Sequence, residues 1–168
     1  MFRPAIEEDF KEIIEIQNEN LISQNTDLKY GFLVNPVDDS YLKNDANITF
    51  VIQNEETRAI EGYLTGCPIT PEKFKELKLT GTASSVFFWK HIALKNKIKG
   101  THIIKSFEDY CFSELKKSGY LEVVGEICLE PLNNRSLSFH VGVQSLREIE
   151  RRTDEKRYAW GIFTKNIE

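Results

Sequence analysis

The sequence has no long apolar run: its longest wholly apolar stretch, Val86 to Trp89, falls far below the roughly 20 residues a membrane-spanning helix needs. Cysteine is scarce. Cys67, Cys111 and Cys128 are odd in number and lack metal-ligand spacing, so neither a metal site nor a disulfide framework is expected. The first residues carry Glu7, Glu8 and Asp9 where an apolar signal segment would stand, which makes a reducing, cytoplasmic setting the expectation. Positive charge is also in deficit, with 22 Lys and Arg against 26 Asp and Glu and a formal net charge of −4. That argues against a nucleic-acid binder relying on a basic surface. Internal repeats, low-complexity tracts and linkers are lacking as well.

What is present is an ordinary globular composition, 40% hydrophobic and 29% charged, which suggests neither disorder nor a coiled coil. Its 168 residues are expected to form a single domain, 1–168. The chain is organised around residues 84–119: an aromatic strand ending at Ile92, Ala93 and Leu94, a lysine-rich loop, and an amphipathic helix. Such a passage sets unpaired backbone N–H groups at the helix start, where an anion can bind. Lys95, Lys97 and Lys99 add positive charge there, although a solvated basic loop is the simpler reading of these residues alone.

In chain order, Phe2 to Ala5 reads as an edge strand and Glu7 to Asn20 as a helix with Phe10, Ile13, Ile14 and Gln17 on one face. Gln17 is expected at a half-buried rim. From Ser23 to Asn47 the pattern is weak, with a short helix near Tyr41 and a surface that either connects elements or covers a substrate. Ile48 to Gln53 and Ile60 to Cys67 form a hairpin, and Pro71 to Leu77 a small inserted helix. The aromatic strand puts Phe88, Lys90, Ile92 and Leu94 on one face and Phe87, Trp89, His91 and Ala93 on the other; with both mostly apolar, it is expected to be central. Ile104, Phe107, Cys111 and Leu115 line a helix capped by Gly119, and Leu121 to Leu129 follows as a strand parallel to the aromatic one. Asn133 to His140 is a short helix closed by Gly142, and Leu146–Arg152 with Arg157–Phe163 is a last hairpin. The result is an α/β (α+β) fold, a mixed sheet with helices on both faces.

The order of elements and the stretch Glu126-Ile127-Cys128-Leu129-Glu130-Pro131-Leu132-Asn133-Asn134-Arg135-Ser136-Leu137-Ser138-Phe139-His140 resemble the GNAT N-acetyltransferase superfamily over essentially the whole chain. Within it the chain is most similar to a branch whose tail reads Glu-x-Asn-x-x-Pro-x-Asn-x-x-Ser-x-x-Phe-His. Glu126, Pro131, Asn133, Ser136, Phe139 and His140 match. The resemblance implies a mostly antiparallel, twisted sheet with a central, splayed parallel strand pair. It implies acetyl-CoA as cosubstrate, with no metal. The main chain of Ile92, Ala93 and Leu94 would meet the pantetheine arm, and Lys95, Lys97, Ile98, Lys99, Gly100, Thr101 and His102 would surround the diphosphate. Asn133 and Ser136 would contact CoA, and a helix cap explains Asn133 equally well.

The implied reaction moves an acetyl group to the amine of a small-molecule or amino-acid-like acceptor, with no nucleic-acid or membrane partner and a homodimer left open. His140 falls at the family's thiolate-protonating position, and an imidazole with an ordinary pKa of about 6.5 suits that task if kept protonated. A histidine packed between helix and sheet is the equal alternative. Glu126, or His91 on the neighbouring strand, is the candidate base, directly or through one water. Phe87, Trp89, Tyr158 and Trp160 either wall an acceptor pocket or fill the core. The chain departs from the family pattern at Ile98, where the loop usually has glycine, at Cys128 in place of asparagine, and in a shortened segment after His140. These departures support a second function, a non-catalytic or weakly active acyl-CoA-binding relative. A peptide-binding module using a strand edge is third.

Overall fold

The structure is a computed structural model and describes residues 1–24, 31–99 and 102–167. The described residues form seven strands and five α-helices: β1 (Phe2–Pro4), α1 (Phe10–Asn20), α2 (Asp39–Leu42), β2 (Ile48–Gln53), β3 (Ile60–Pro68), α3 (Pro71–Glu76), β4 (Val86–Leu94), α4 (Ile103–Lys117), β5 (Glu122–Glu130), α5 (Asn134–Leu137), β6 (Arg147–Thr153) and β7 (Ala159–Asn166). The strands hydrogen-bond in the order β1-β2-β3-β4-β5-β7-β6. β4 and β5 are parallel, while β1/β2, β2/β3, β5/β7 and β6/β7 are antiparallel. The parallel ladder spans only Val86↔Glu122 to Trp89↔Gly125, although β4 continues to Leu94 and β5 to Glu130. Among the described residues no helix is long and apolar enough to cross a membrane.

The chain divides into two compact units. The first comprises Met1–Gly66 and His91–Cys111. Its core joins Ile13 and Ile16 of α1 to Val37, Leu42, Val51, Ile60, Tyr63 and Ala93. Helix α1 forms because Ile13, Ile16, Gln17 and Asn20 repeat at helical spacing and are all buried. Its entry is fixed by Asp9, whose carboxylate accepts from Arg3 at 2.7 and 2.8 Å and from the Ile6 N–H at 2.9 Å. Desolvation raises the pKa of Asp9, but these hydrogen bonds and the Arg3 charge outweigh it and the net shift is downward. Gln17 is a full core residue rather than a rim one, at 2% exposure. Its amide donates to the Val37 C=O at 2.9 Å and accepts from the Val37 N–H at 2.7 Å, which satisfies both ends of the buried amide.

The weak stretch after Ser23 is tied down by the same logic. Leu33 pairs with Leu21 in a parallel bridge, and Asp38 caps α2 by accepting from the Tyr41 N–H at 2.8 Å. Part of that stretch, 25–30, lies outside the described residues. Gly62 in β3 faces a tight contact: a β-carbon there would lie 2.5 Å from Leu94 Cδ2 and 3.1 Å from both the Ala93 C=O oxygen and Ile52 Cδ1.

The second unit comprises Cys67–Lys90 and the chain from Phe112 onward. On one face of its sheet Val86, Val124 and Ile162 pack with Ile69 and Leu77, and Phe74 of α3 and Phe88 close over them. On the other face Trp89 meets Phe112 of α4 edge-on at 6.1 Å and Phe87 meets Tyr120 at 5.4 Å. Helices therefore cover both faces, as expected. β4 is the middle strand and mostly apolar on both sides, as expected: Phe87 and Trp89 are buried toward α4, and on the other face Val86 and Leu94 are buried, Phe88 and Ile92 half-buried and Lys90 exposed. Helix α4 ends at Gly119, whose φ of +93° and N–H to the Lys116 C=O form the glycine cap.

Several boundaries differ from expectation: β7 runs on to Asn166 rather than ending at Phe163, and two turns fall elsewhere. After α5 the chain makes a π-helical turn over Ser138–Val143, so Gly142 lies inside that turn instead of closing a helix. The last strand starts at Ala159 rather than Arg157, because Arg157 sits at φ +63° in a turn where Asp154 accepts from the Tyr158 N–H at 2.9 Å.

Candidate functional site

In the first unit, β4 passes through Ile92, Ala93 and Leu94 into a tight turn over Asn96–Ile98. The Leu94 C=O accepts from Asn20 Nδ2 at 3.1 Å, and the Lys95 N–H donates to the Glu61 C=O at 2.8 Å. Two N–H groups expected to face a diphosphate are used by the turn itself: Ile98 donates to the Lys95 C=O at 3.1 Å and Lys99 to the Asn96 C=O at 3.3 Å. Lys95 and Lys97 have carboxylate partners. Lys95 Nζ lies 3.4 Å from Glu12 Oε2, and Lys97 Nζ lies 2.6 Å from Glu61 Oε1. The Lys97 hydrogen bond holds the Glu61 carboxyl below its usual range against the desolvation of a side chain 9% exposed.

Gly100 and Thr101 lie outside the described residues. His102 is exposed, and its C=O accepts from the Ser106 N–H at 3.5 Å. The N–H groups of Ile103, Ile104 and Lys105 therefore stand ahead of the helical ladder, and the first turn of α4 contains no acidic residue. Anion capacity here rests on the start of α4, less on the turn before it.

In the second unit Asn133 and Ser136 come together as a helix cap: Asn133, 5% exposed, accepts from the Ser136 N–H at 3.4 Å. His140 is 5% exposed and stands edge-on to Trp89, with ring centroids 4.6 Å apart, and to Phe139 at 5.2 Å. Burial lowers its pKa to about 3. At neutral pH the imidazole is uncharged and has no spare proton to give, which favours the packing role that the sequence left beside the acid role.

Glu126 belongs to a different environment. Its Oε1 lies 3.1 Å from Lys73 Nζ and also receives Arg152, while both cations pair with Glu76. Lys73 Nζ also sits 5.8 Å from the centre of the Phe88 ring. Gly125 packs against Trp89, its hypothetical β-carbon 3.8 Å from the Trp89 side chain, so the next residue, Glu126, projects from the opposite face. Glu126 and His140 thus point to opposite faces of the sheet and share no partner. They do not form an acid and base pair about one reacting centre.

The remaining candidates are structural. His91 is 5% exposed, with Nδ1 3.4 Å from the Tyr63 hydroxyl, whose pKa burial raises. Phe87 and Trp89 are core, and Trp160 donates its indole N–H to Asp154 at 2.9 Å. Burial pushes the Cys128 thiol up to about 11, so it is no nucleophile at neutral pH. Sequence reasoning missed Lys73, Glu76 and Arg152, which come from α3 and β6, and Glu108 of α4, which is buried at 0% exposure. A charged residue on the apolar face of an amphipathic helix was the available signal for Glu108. Among the described residues no group of three or more His, Cys, Asp or Glu is placed to hold a metal.

No protein-family description matches the chain, and no curated protein does. Solved structures do. Protein smu.2055 from Streptococcus mutans UA159 superposes with a TM-score of 0.73 at 16% identity, covering 100% of this chain and 99% of that one. An N-acetyltransferase from Staphylococcus aureus Mu50 gives 0.72 at 17% identity, covering 100% and 98%. The ribosomal-protein-S18-alanine N-acetyltransferase from Escherichia coli gives 0.69 at 10% identity, covering 99% and 93%. The structural neighbours include N-acetyltransferases and a protein of the GNAT family from Desulfovibrio desulfuricans, and this chain has their fold from end to end.

Proposed function

We propose that the chain, acting as one domain in the cytoplasm, is an acetyl-CoA-dependent N-acetyltransferase for the amine of a small-molecule or amino-acid-like acceptor. The observation that carries this reading is the passage from β4 to α4. A strand that leaves its parallel partner after four residue pairs leads to a helix start without carboxylates. The N–H groups of Ile103, Ile104 and Lys105 would hold the diphosphate, with Gly100 and Thr101 before them and Ile92 to Leu94 along the pantetheine arm. Lys95, Lys97, Lys99 and His102 would screen charge at the rim, and Asn133 with Ser136 would add a polar contact. When bound, acetyl-CoA supplies an activated acyl thioester. Glu126 receives the acceptor ammonium at Oε2 and takes its proton, directly or through one water. His140 keeps its place against Trp89, and solvent protonates the thiolate.

The cations on Glu126 and the uncharged His140 favour a second reading, a relative that binds acyl-CoA and turns it over slowly or not at all. Calorimetry with acetyl-CoA and CoA, followed by a thiol-release assay on an amine panel, separates the two. Binding with thiol release supports the first reading, and binding without it the second. No heat at millimolar ligand removes both.

A further inference from the structure

We infer that the acceptor is an α-amino acid, or a similar small molecule with a carboxylate beside its amine, held by Lys73, Glu126 and Arg152, with Glu76 occupying the place of the substrate carboxylate in its absence. The use of this site in acetyl transfer rests on the function proposed above; the binding chemistry does not. One guanidinium carries two carboxylates side by side, since Arg152 pairs through Nη1 with Glu76 and through Nη2 with Glu126. Lys73 joins the same two acids, at 3.3 Å from Glu76 Oε1 and 3.1 Å from Glu126 Oε1.

The two acids are not equivalent. Glu126 projects from a central strand with its side chain 21% exposed, whereas Glu76 is the last residue of a short helix and 54% exposed. Both cations use Glu126 Oε1, and Oε2 accepts no hydrogen bond among the described residues. An incoming amino acid places its ammonium on Glu126 Oε2 and its carboxylate where Glu76 stands, against Lys73 and Arg152. Glu76 then swings into water. Each charge left in the half-buried site stays paired, while an amine without a carboxylate can use only Glu126. Phe88, beneath Lys73, gives the substrate an apolar floor.

Calorimetry at low ionic strength on matched pairs tests this: L-phenylalanine against 2-phenylethylamine, L-methionine against 3-(methylthio)propylamine, and glycine against methylamine. The amino acid is expected to bind at least about tenfold more tightly within a pair. Glu76→Gln removes the competing carboxylate and should tighten amino-acid binding about three- to fivefold, the size of an exposed ion pair. Arg152→Gln should erase the preference within each pair. Equal binding within pairs, no binding of any amino acid, or an unchanged or weakened constant in the exposed, fold-neutral Glu76→Gln would overturn the proposal. Thiol release is read separately. Equal kcat/KM within pairs keeps acetyl transfer and discards this site, whereas selective binding without thiol release keeps the site and discards acetyl transfer.

Discussion

Each unit of the molecule holds a carboxylate among cations and a buried histidine, and the two pairs are built to opposite ends. In the first unit Glu61 is nearly enclosed and draws Lys97 and Asn54 toward it, so the acid shapes a basic turn. In the second unit Glu126 is half-open, and Lys73 and Arg152 aim it while leaving one oxygen without a hydrogen bond among the described residues. The histidines differ likewise: His91 has a tyrosine hydroxyl as partner, whereas His140 is wedged between aromatic rings. A formal charge in the sequence therefore says little about function until its compensation is known. Where the acid is enclosed it acts as scaffold, and where it keeps an open oxygen it can still meet a substrate.

The widest break in that comparison comes from Glu126→Gln, which keeps the shape and removes the anion. It should lower kcat for acetyl transfer by about 10²–10⁴-fold and leave the CoA dissociation constant unchanged, as steady-state thiol release and calorimetry would report. An equal loss of CoA affinity would move Glu126 to the scaffold class with Glu61.

The histidine contrast is sharpened by His140→Phe. A folded-state pKa near 3 lies below the unfolded value, so His140 leaves stability intact above about pH 6.5 and reduces it as the pH falls toward 3. Between pH 7 and pH 4 the wild type should lose about 3 kcal/mol from this group alone, and the phenylalanine variant should be spared that part. Urea unfolding of both proteins at the two pH values measures the difference. Parallel losses would mean that His140 is not buried neutral, and a large fall in kcat with unchanged stability would restore its acid role.

The smallest expected effect is that of Glu61→Gln. Releasing Lys97 should tighten CoA binding about threefold at low salt, with the gain fading above about 0.5 M salt as screening sets in. A salt-independent change would point to a shift in the turn rather than to charge.

Most of the fold was legible because it rests on local signals. The helical repeat of Phe10, Ile13, Ile14 and Gln17, the hairpin of Ile48–Gln53 with the strand from Ile60, the proline start of α3 and the Gly119 cap each act within a few residues, and each lies where the pattern puts it. Among the boundaries that moved, those at Gly142 and Arg157 are turns whose geometry depends on what they pack against. The site was legible only in its nominees. That Glu126 and His140 face opposite ways follows from strand parity and the Trp89 contact, and the partners of Glu126 arrive from α3 and β6. No spacing along one chain encodes that meeting, because it depends on how the strands are ordered in the sheet.

Gly62 offers a handle of another kind. A methyl group at this position would press on Leu94 and the Ala93 carbonyl, the last two residues of β4, and on Ile52 of β2. Gly62→Ala should therefore yield a conditional allele: protein that accumulates and works in cool-grown cells, yet loses its function on a modest warming as the end of the strand lets go. Shifting such cells between two temperatures would reveal which metabolites rise or fall when the protein stops, a route to its physiological acceptor that needs no prior guess about chemistry.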